Sequence, residues 1–218
     1  MPKALVNDVR LYYEVEGEGE PLALVGGGLF GRQNWGMVID ELKNNFRVLS
    51  YDQRGYGQSE RPIQDYSINL WADDLAALLD VVGIRKTHVA GTSMGAMVAL
   101  KFAAQYPVRT MSVVADCAFA KPDRRRKMLL ETWRRLAHTV GVGEIFADHV
   151  FTQAVGDNFL DSARANQAIA MNRQIVSMNS IETVVQACLA MENLDLSRDL
   201  RKIKSPTLIM NAPGDLIT

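Results

Sequence analysis

Five residues of this 218-residue chain, Gly91-Thr92-Ser93-Met94-Gly95, follow the strand-like Thr87-His88-Val89-Ala90 and precede an alanine-rich helical stretch. A strand, then G-x-S-x-G, then a helix is the pattern of a nucleophile elbow. Small residues at Gly91 and Gly95 let the backbone turn sharply and bring the helix close to the strand, so that Ser93 projects its hydroxyl above the sheet. Ser93 is the expected nucleophile. Earlier, Gly26-Gly27-Gly28 closes an apolar run. Backbone so rich in glycine approaches a ligand closely, and the N–H of Gly28 together with that of Met94 would suit a developing oxyanion. The same glycines would also serve a plain strand-to-loop turn. Neither G-x-G-x-x-G order nor a Gly-Lys-Ser/Thr ending is present, so a dinucleotide or phosphate loop is not expected.

Two acids compete for a supporting role. Asp215 lies past the apolar run Pro206-Thr207-Leu208-Ile209-Met210, where a carboxylate can hold an imidazole in one tautomer and stabilise its charged form. Asp116, also past a strand-like run, is the alternative; Asp215 is preferred because Asn211-Ala212-Pro213-Gly214 is the richer turn. In Tyr51-Asp52-Gln53-Arg54-Gly55-Tyr56-Gly57, Asp52 and Arg54 are read as structural residues, an acid and a base that satisfy each other and nearby amides. A base for Ser93 is harder to find. His88 sits in the strand before the elbow, carried away from the hydroxyl, and reads as a core or sheet-face residue. His138 and His149 fall in a helical region with no evident orienting partner.

The elements that must position these residues follow from periodicity. Val9, Leu11, Tyr13 and Val15 alternate as in a half-exposed hairpin, whereas PLALVGG, FRVLSYD, THVAGTS, TMSVVAD and PTLIMNA are almost continuously apolar, as parallel strands covered on both faces should be. Leu75, Leu78, Leu79 and Val82 recur at helical spacing, with Asp65 or Ser67 to cap the start and Gly83 to close the end. Alternating strands and helices predict a doubly wound α/β sheet with its ligand beyond the carboxyl ends of the strands. The rhythm breaks at 119–199, where helical patterns predict a cap inserted between core segments 1–118 and 200–218. Met128, Leu129, Trp133, Leu136 and Ala137 are its first apolar face, and the run Lys121-Pro122-Asp123-Arg124-Arg125-Arg126-Lys127 reads as a solvated helix surface.

Composition narrows the partners. With 24 Lys plus Arg against 25 Asp plus Glu there is no field to gather nucleic acid or an anionic membrane, and 48% apolar residues suit a domain with a substantial core. Two cysteines, Cys117 and Cys188, match no zinc or redox spacing, and neither a signal peptide nor an 18-residue apolar run is present, so a cytoplasmic location without metal is expected.

The Gly26–Gly28 turn, the YDQRGYGQS segment, GTSMG and PTLIMNAPGD, in that order, resemble the α/β-hydrolase fold superfamily, in particular small hydrolases with a helical cap. The resemblance implies Ser93 as nucleophile, the Gly28 and Met94 amides as oxyanion hole and Asp215 as the acid of a triad. It further implies no cofactor and a small, apolar or moderately polar carbonyl substrate such as an ester or lactone. Cofactor-free haloperoxidases are among the relatives, and a catalytically silent ligand-binding or signalling module is the alternative from another class. Two departures stand out: Gly26-Gly27 replaces the usual His-Gly, and the family's histidine follows the acid by roughly two dozen residues, whereas the numbering stops at Thr218. The fold is therefore expected to be C-terminally incomplete, with a missing strand, helix and histidine supplied by further chain, a complementing C-terminal polypeptide or self-association.

Overall fold

Asn7 and Asp8 both take positive φ, 44° and 62°, the geometry of a two-residue turn whose twist matches its flanking strands. They join β1 (Lys3–Val6) to β2 (Val9–Glu16), and the alternation of Val9 and Leu11 turns one face of this hairpin inward. The computed structural model describes residues 2–212 and 215–218. Five more strands, β3 (Glu20–Val25), β4 (Phe46–Tyr51), β5 (Thr87–Thr92), β6 (Thr110–Asp116) and β7 (Thr207–Met210), complete a sheet of order β1-β2-β4-β3-β5-β6-β7. β2 runs antiparallel to β4, and every pairing from β4 to β7 is parallel. The sheet is therefore mostly parallel, of the α/β class read from the alternating pattern.

The connections are helical: α1 (Ile39–Leu42), α2 (Ile68–Val81) and α3 (Met94–Gln105) serve the first crossovers. Ser67 caps α2 by accepting the Leu70 N–H at 3.1 Å. Five helices then lie between β6 and β7: α4 (Arg124–Val140), α5 (Glu144–Ala154), α6 (Asp157–Leu160), α7 (Ala165–Val176) and α8 (Ile181–Glu192). The central strands are closed to solvent on both faces, with Ala23, Leu24 and Val25 at 0% exposure. α3, packed against α2, β5 and β6, buries almost every residue from Met94 to Ala104, which its small side chains allow.

Three details depart from the sequence reading. β7 is not covered: Leu208, Ile209 and Met210 are half exposed, because among the described residues this strand pairs with β6 alone. On α4 the buried face is Leu130, Trp133 and Ala137, while Met128 points outward. Asp52 and Arg54 do not satisfy each other. Arg54, 2% exposed, forks onto Asp74 of α2, with its Nη2 2.6 Å from Oδ1, and Asp74 also accepts from Asn7 Nδ2. A buried guanidinium needs a whole carboxylate, and α2 supplies it. Asp52 does satisfy backbone amides as read, accepting the N–H of Arg32 at 3.0 Å and of Gln58 at 2.9 Å and so holding two loops together.

Candidate active site

β5 ends at Thr92 and α3 begins at Met94, leaving Ser93 alone to make the turn, with φ 53° and ψ −123°. Glycine is required on either side. A Cβ on Gly91 would fall 2.2 Å from the Gly95 carbonyl oxygen, and one on Gly95 would fall 2.3 Å from the carbonyl oxygen of Val25 in β3. The bend is anchored by the Ser93 N–H, which donates to the Asp116 carbonyl at 2.8 Å. Although Ser93 occupies the capping position of α3, its hydroxyl does not cap the helix. That hydroxyl is left for other work.

Ser93 lines a cavity of about 270 Å³ between the carboxyl ends of the strands and the helices α4, α5 and α8. Trp133, Phe151, Val184 and Met191 form much of the helical wall, an apolar lining that lowers the local dielectric. The floor holds the glycine turn. Gly27 donates to Asn34 Oδ1 at 2.6 Å, Gln53 Nε2 donates to the Gly26 carbonyl at 2.8 Å, and Asn179 Nδ2 donates to the Leu29 carbonyl at 2.8 Å. These clamps fix the turn while the N–H groups of Gly28 and Met94, both on the cavity wall, have no protein acceptor among the described residues. Two unpaired donors beside a free hydroxyl can receive a negatively charged oxygen.

Asp215 lines the same cavity. Its Oδ1 accepts the N–H of Ile217 at 2.7 Å, and its Oδ2 accepts from the Thr218 hydroxyl. Pro213 and Gly214 of its turn lie outside the described residues. Asp116, at the end of β6, is engaged differently, accepting from Thr92 Oγ1 at 3.0 Å, and does not line the cavity. The histidines lie elsewhere. His88 Nδ1 is 2.7 Å from Ser112 Oγ and its Nε2 is 3.2 Å from Glu20, His149 Nε2 accepts from Gln153 at 3.1 Å, and His138 is exposed on α4. None is hydrogen-bonded to Ser93 or Asp215 among the described residues.

Four residues of the site went unread in the sequence. Asn34, Gln53 and Asn179 act on backbone atoms up to 150 positions away, a relation that no local pattern encodes. Cys117 lines the cavity with φ 53°, and burial beside Asp116 pushes its thiol up to about 11.

A family model described as the alpha/beta hydrolase fold matches residues 20–218. A protein of Azorhizobium caulinodans named as the carbamate hydrolase RutD is 29% identical over 223 residues, covering 100% of this chain and 82% of its own. Among solved structures, the enol-lactonase from Burkholderia xenovorans LB400 superposes with a TM-score of 0.88 at 27% identity, over 95% of this chain and 80% of that one. A thermophilic esterase from Thermogutta terrifontis gives 0.85 at 28% identity, over 96% and 79%. No helix among the described residues is long and apolar enough to cross a membrane.

Proposed function

The chain belongs to the alpha/beta hydrolase family, and from that premise we propose that it is a serine hydrolase cleaving a small ester, lactone or related carbonyl compound through an acyl-enzyme. The observation that carries this reading is the placement of the uncapped Ser93 hydroxyl in one cavity with the unpaired Gly28 and Met94 amides and with Asp215. The relatives named as carbamate hydrolase, enol-lactonase and esterase support the substrate class, because each name denotes attack on a carbonyl bearing a heteroatom.

Ser93 Oγ attacks the carbonyl carbon as a base removes its proton, and the carbonyl oxygen becomes an oxyanion held by the two amides. Such donors contribute roughly 10²–10³ in rate each when placed on the developing charge. Collapse expels the alkoxide or amine, which takes the proton from the base, and water then repeats the sequence on the acyl-enzyme. Asp215 orients the base, exchanging its contacts with Ile217 and Thr218 for an imidazole N–H. None of His88, His138 and His149 is hydrogen-bonded to Ser93 or Asp215 among the described residues, so the base is assigned to none of them.

A fluorophosphonate probe applied to the complete gene product tests the assignment, with hydrolysis of short p-nitrophenyl esters followed in parallel. One adduct on Ser93 is expected, and Ser93→Ala loses the adduct and at least about 10³-fold in kcat. Undiminished turnover in that variant overturns the serine mechanism, and a folded, complete protein that takes no adduct marks a binding module instead.

A further inference from the structure

Arg126 lies in the first turn of α4 and lines the Ser93 cavity, although its neighbours in the basic run, Arg124 and Arg125, are exposed. Among the described residues it is the one cation on a wall whose only other charged side chain is Asp215. The guanidinium is underused. Its Nη1 meets Asp123 Oδ2 at 2.6 Å, but Asp123 is 55% exposed and gives its other oxygen to the Arg126 backbone N–H at 2.8 Å as the cap of α4. Arg126 Nε is buried and has no acceptor, and Nη2 has none among the described residues.

The cap's other paired arginines behave differently. Arg134 presents Nε and Nη2 together to the Glu192 carboxylate, at 2.8 and 3.0 Å, and Arg173 presents the same two atoms to Asp148 at 2.7 and 2.6 Å. The corresponding edge of Arg126 is unspent. Phe119, its ring centroid 5.6 Å from the guanidinium carbon, holds the plane in place without consuming a donor. A buried N–H without an acceptor is costly and calls for a reason, and the Nη2 left without an acceptor can donate to a carboxylate oxygen.

We propose that Arg126 is a specificity-determining residue that receives a carboxylate of the substrate, so that the preferred carbonyl compound carries a free carboxylate away from the bond that is cleaved. The inference rests on the proposed function for the position of the reacting carbonyl, and on the cavity alone for the anion. A single guanidinium in a cavity of about 270 Å³ matches a monoanion on a small, otherwise apolar molecule. Arg124 and Arg125, which a dianionic phosphate would recruit, stay outside the wall.

The test separates binding from turnover. In the complete gene product carrying Ser93→Ala, hexanoate and its neutral isostere hexanamide are titrated while the fluorescence of Trp133, a cavity residue, is followed. Hexanoate is expected to bind at least tenfold more tightly than the amide. Adding Arg126→Gln should abolish that preference and Arg126→Lys should restore part of it, whereas a merely structural arginine would shift the melting temperature without changing the ratio. Equal affinities with Arg126 present, no saturation by hexanoate in the millimolar range, or a preference that survives Arg126→Gln overturns the proposal. Because no bond is broken, the outcome is independent of whether Ser93 proves to be the nucleophile.

Discussion

A non-glycine residue at φ 53° and ψ −123° is strained, and Ser93 holds that conformation between two glycines packed against backbone. Strain of this kind costs about 1–3 kcal/mol and persists where surrounding structure over-determines it. Ser93→Gly is therefore expected to raise stability by about 1 kcal/mol in urea denaturation while removing the proposed nucleophile. A fall in stability would mean that the elbow is unstrained. Cys117 allows a second check on the cavity. With its thiol pushed up to about 11 from an ordinary 9.0, its thiolate fraction at pH 7 is about a hundredfold lower than that of a free cysteine. Iodoacetamide should accordingly label it slowly at neutral pH, at a rate that keeps climbing past pH 9, and mass spectrometry of the alkylated peptide reads this directly.

Between elements, Asn179 is the tie that matters most for the site. Positioned between α7 and α8 and 9% exposed, it donates both to Val176 at 3.0 Å and to the Leu29 carbonyl beside the glycine turn. Asn179→Ala leaves that carbonyl without its partner, so a loss of about 1–3 kcal/mol is expected, together with a fall in kcat larger than any change in KM as the Gly28 amide drifts. Steady-state kinetics and thermal melts on one preparation measure both. The elbow turn was legible in the sequence because strand, Gly91, Ser93, Gly95 and helix are contiguous, and the helices between β6 and β7 because helical periodicity persists there. The ties were not. Arg54 reads as a partner for Asp52 two positions away, yet α2 brings Asp74 within 2.6 Å of it, and Arg126 reads as one more solvated cation of a basic run. In each case the deciding neighbour is supplied by tertiary packing and leaves no local pattern.

For the whole molecule, the ion pair between Lys101 of α3 and Asp199, at 2.7 Å, joins the central sheet layer to the chain that leads into β7. The Lys101 ammonium holds the Asp199 carboxyl below its ordinary 3.8, with Lys202 adding to the effect. A carboxyl whose value is depressed by folding contributes stability that is fully present above 3.8 and is lost as the pH falls through its lowered value. The melting temperature is thus expected to fall below pH 4, and less steeply in Asp199→Asn, which should already be about 1 kcal/mol less stable at pH 7. Parallel acid titrations of the two proteins decide it.

The strand order has a consequence in time. β6 is finished at Asp116 and its outer neighbour β7 does not begin until Thr207, so about ninety residues are made in between. At about 5–20 residues per second a ribosome spends on the order of ten seconds on that excursion. Throughout it the Ser93 elbow can already be assembled, while Asp215, riding just behind β7, has not yet been synthesised. A nascent chain therefore carries the residue proposed as nucleophile for several seconds before the carboxylate proposed to serve it exists.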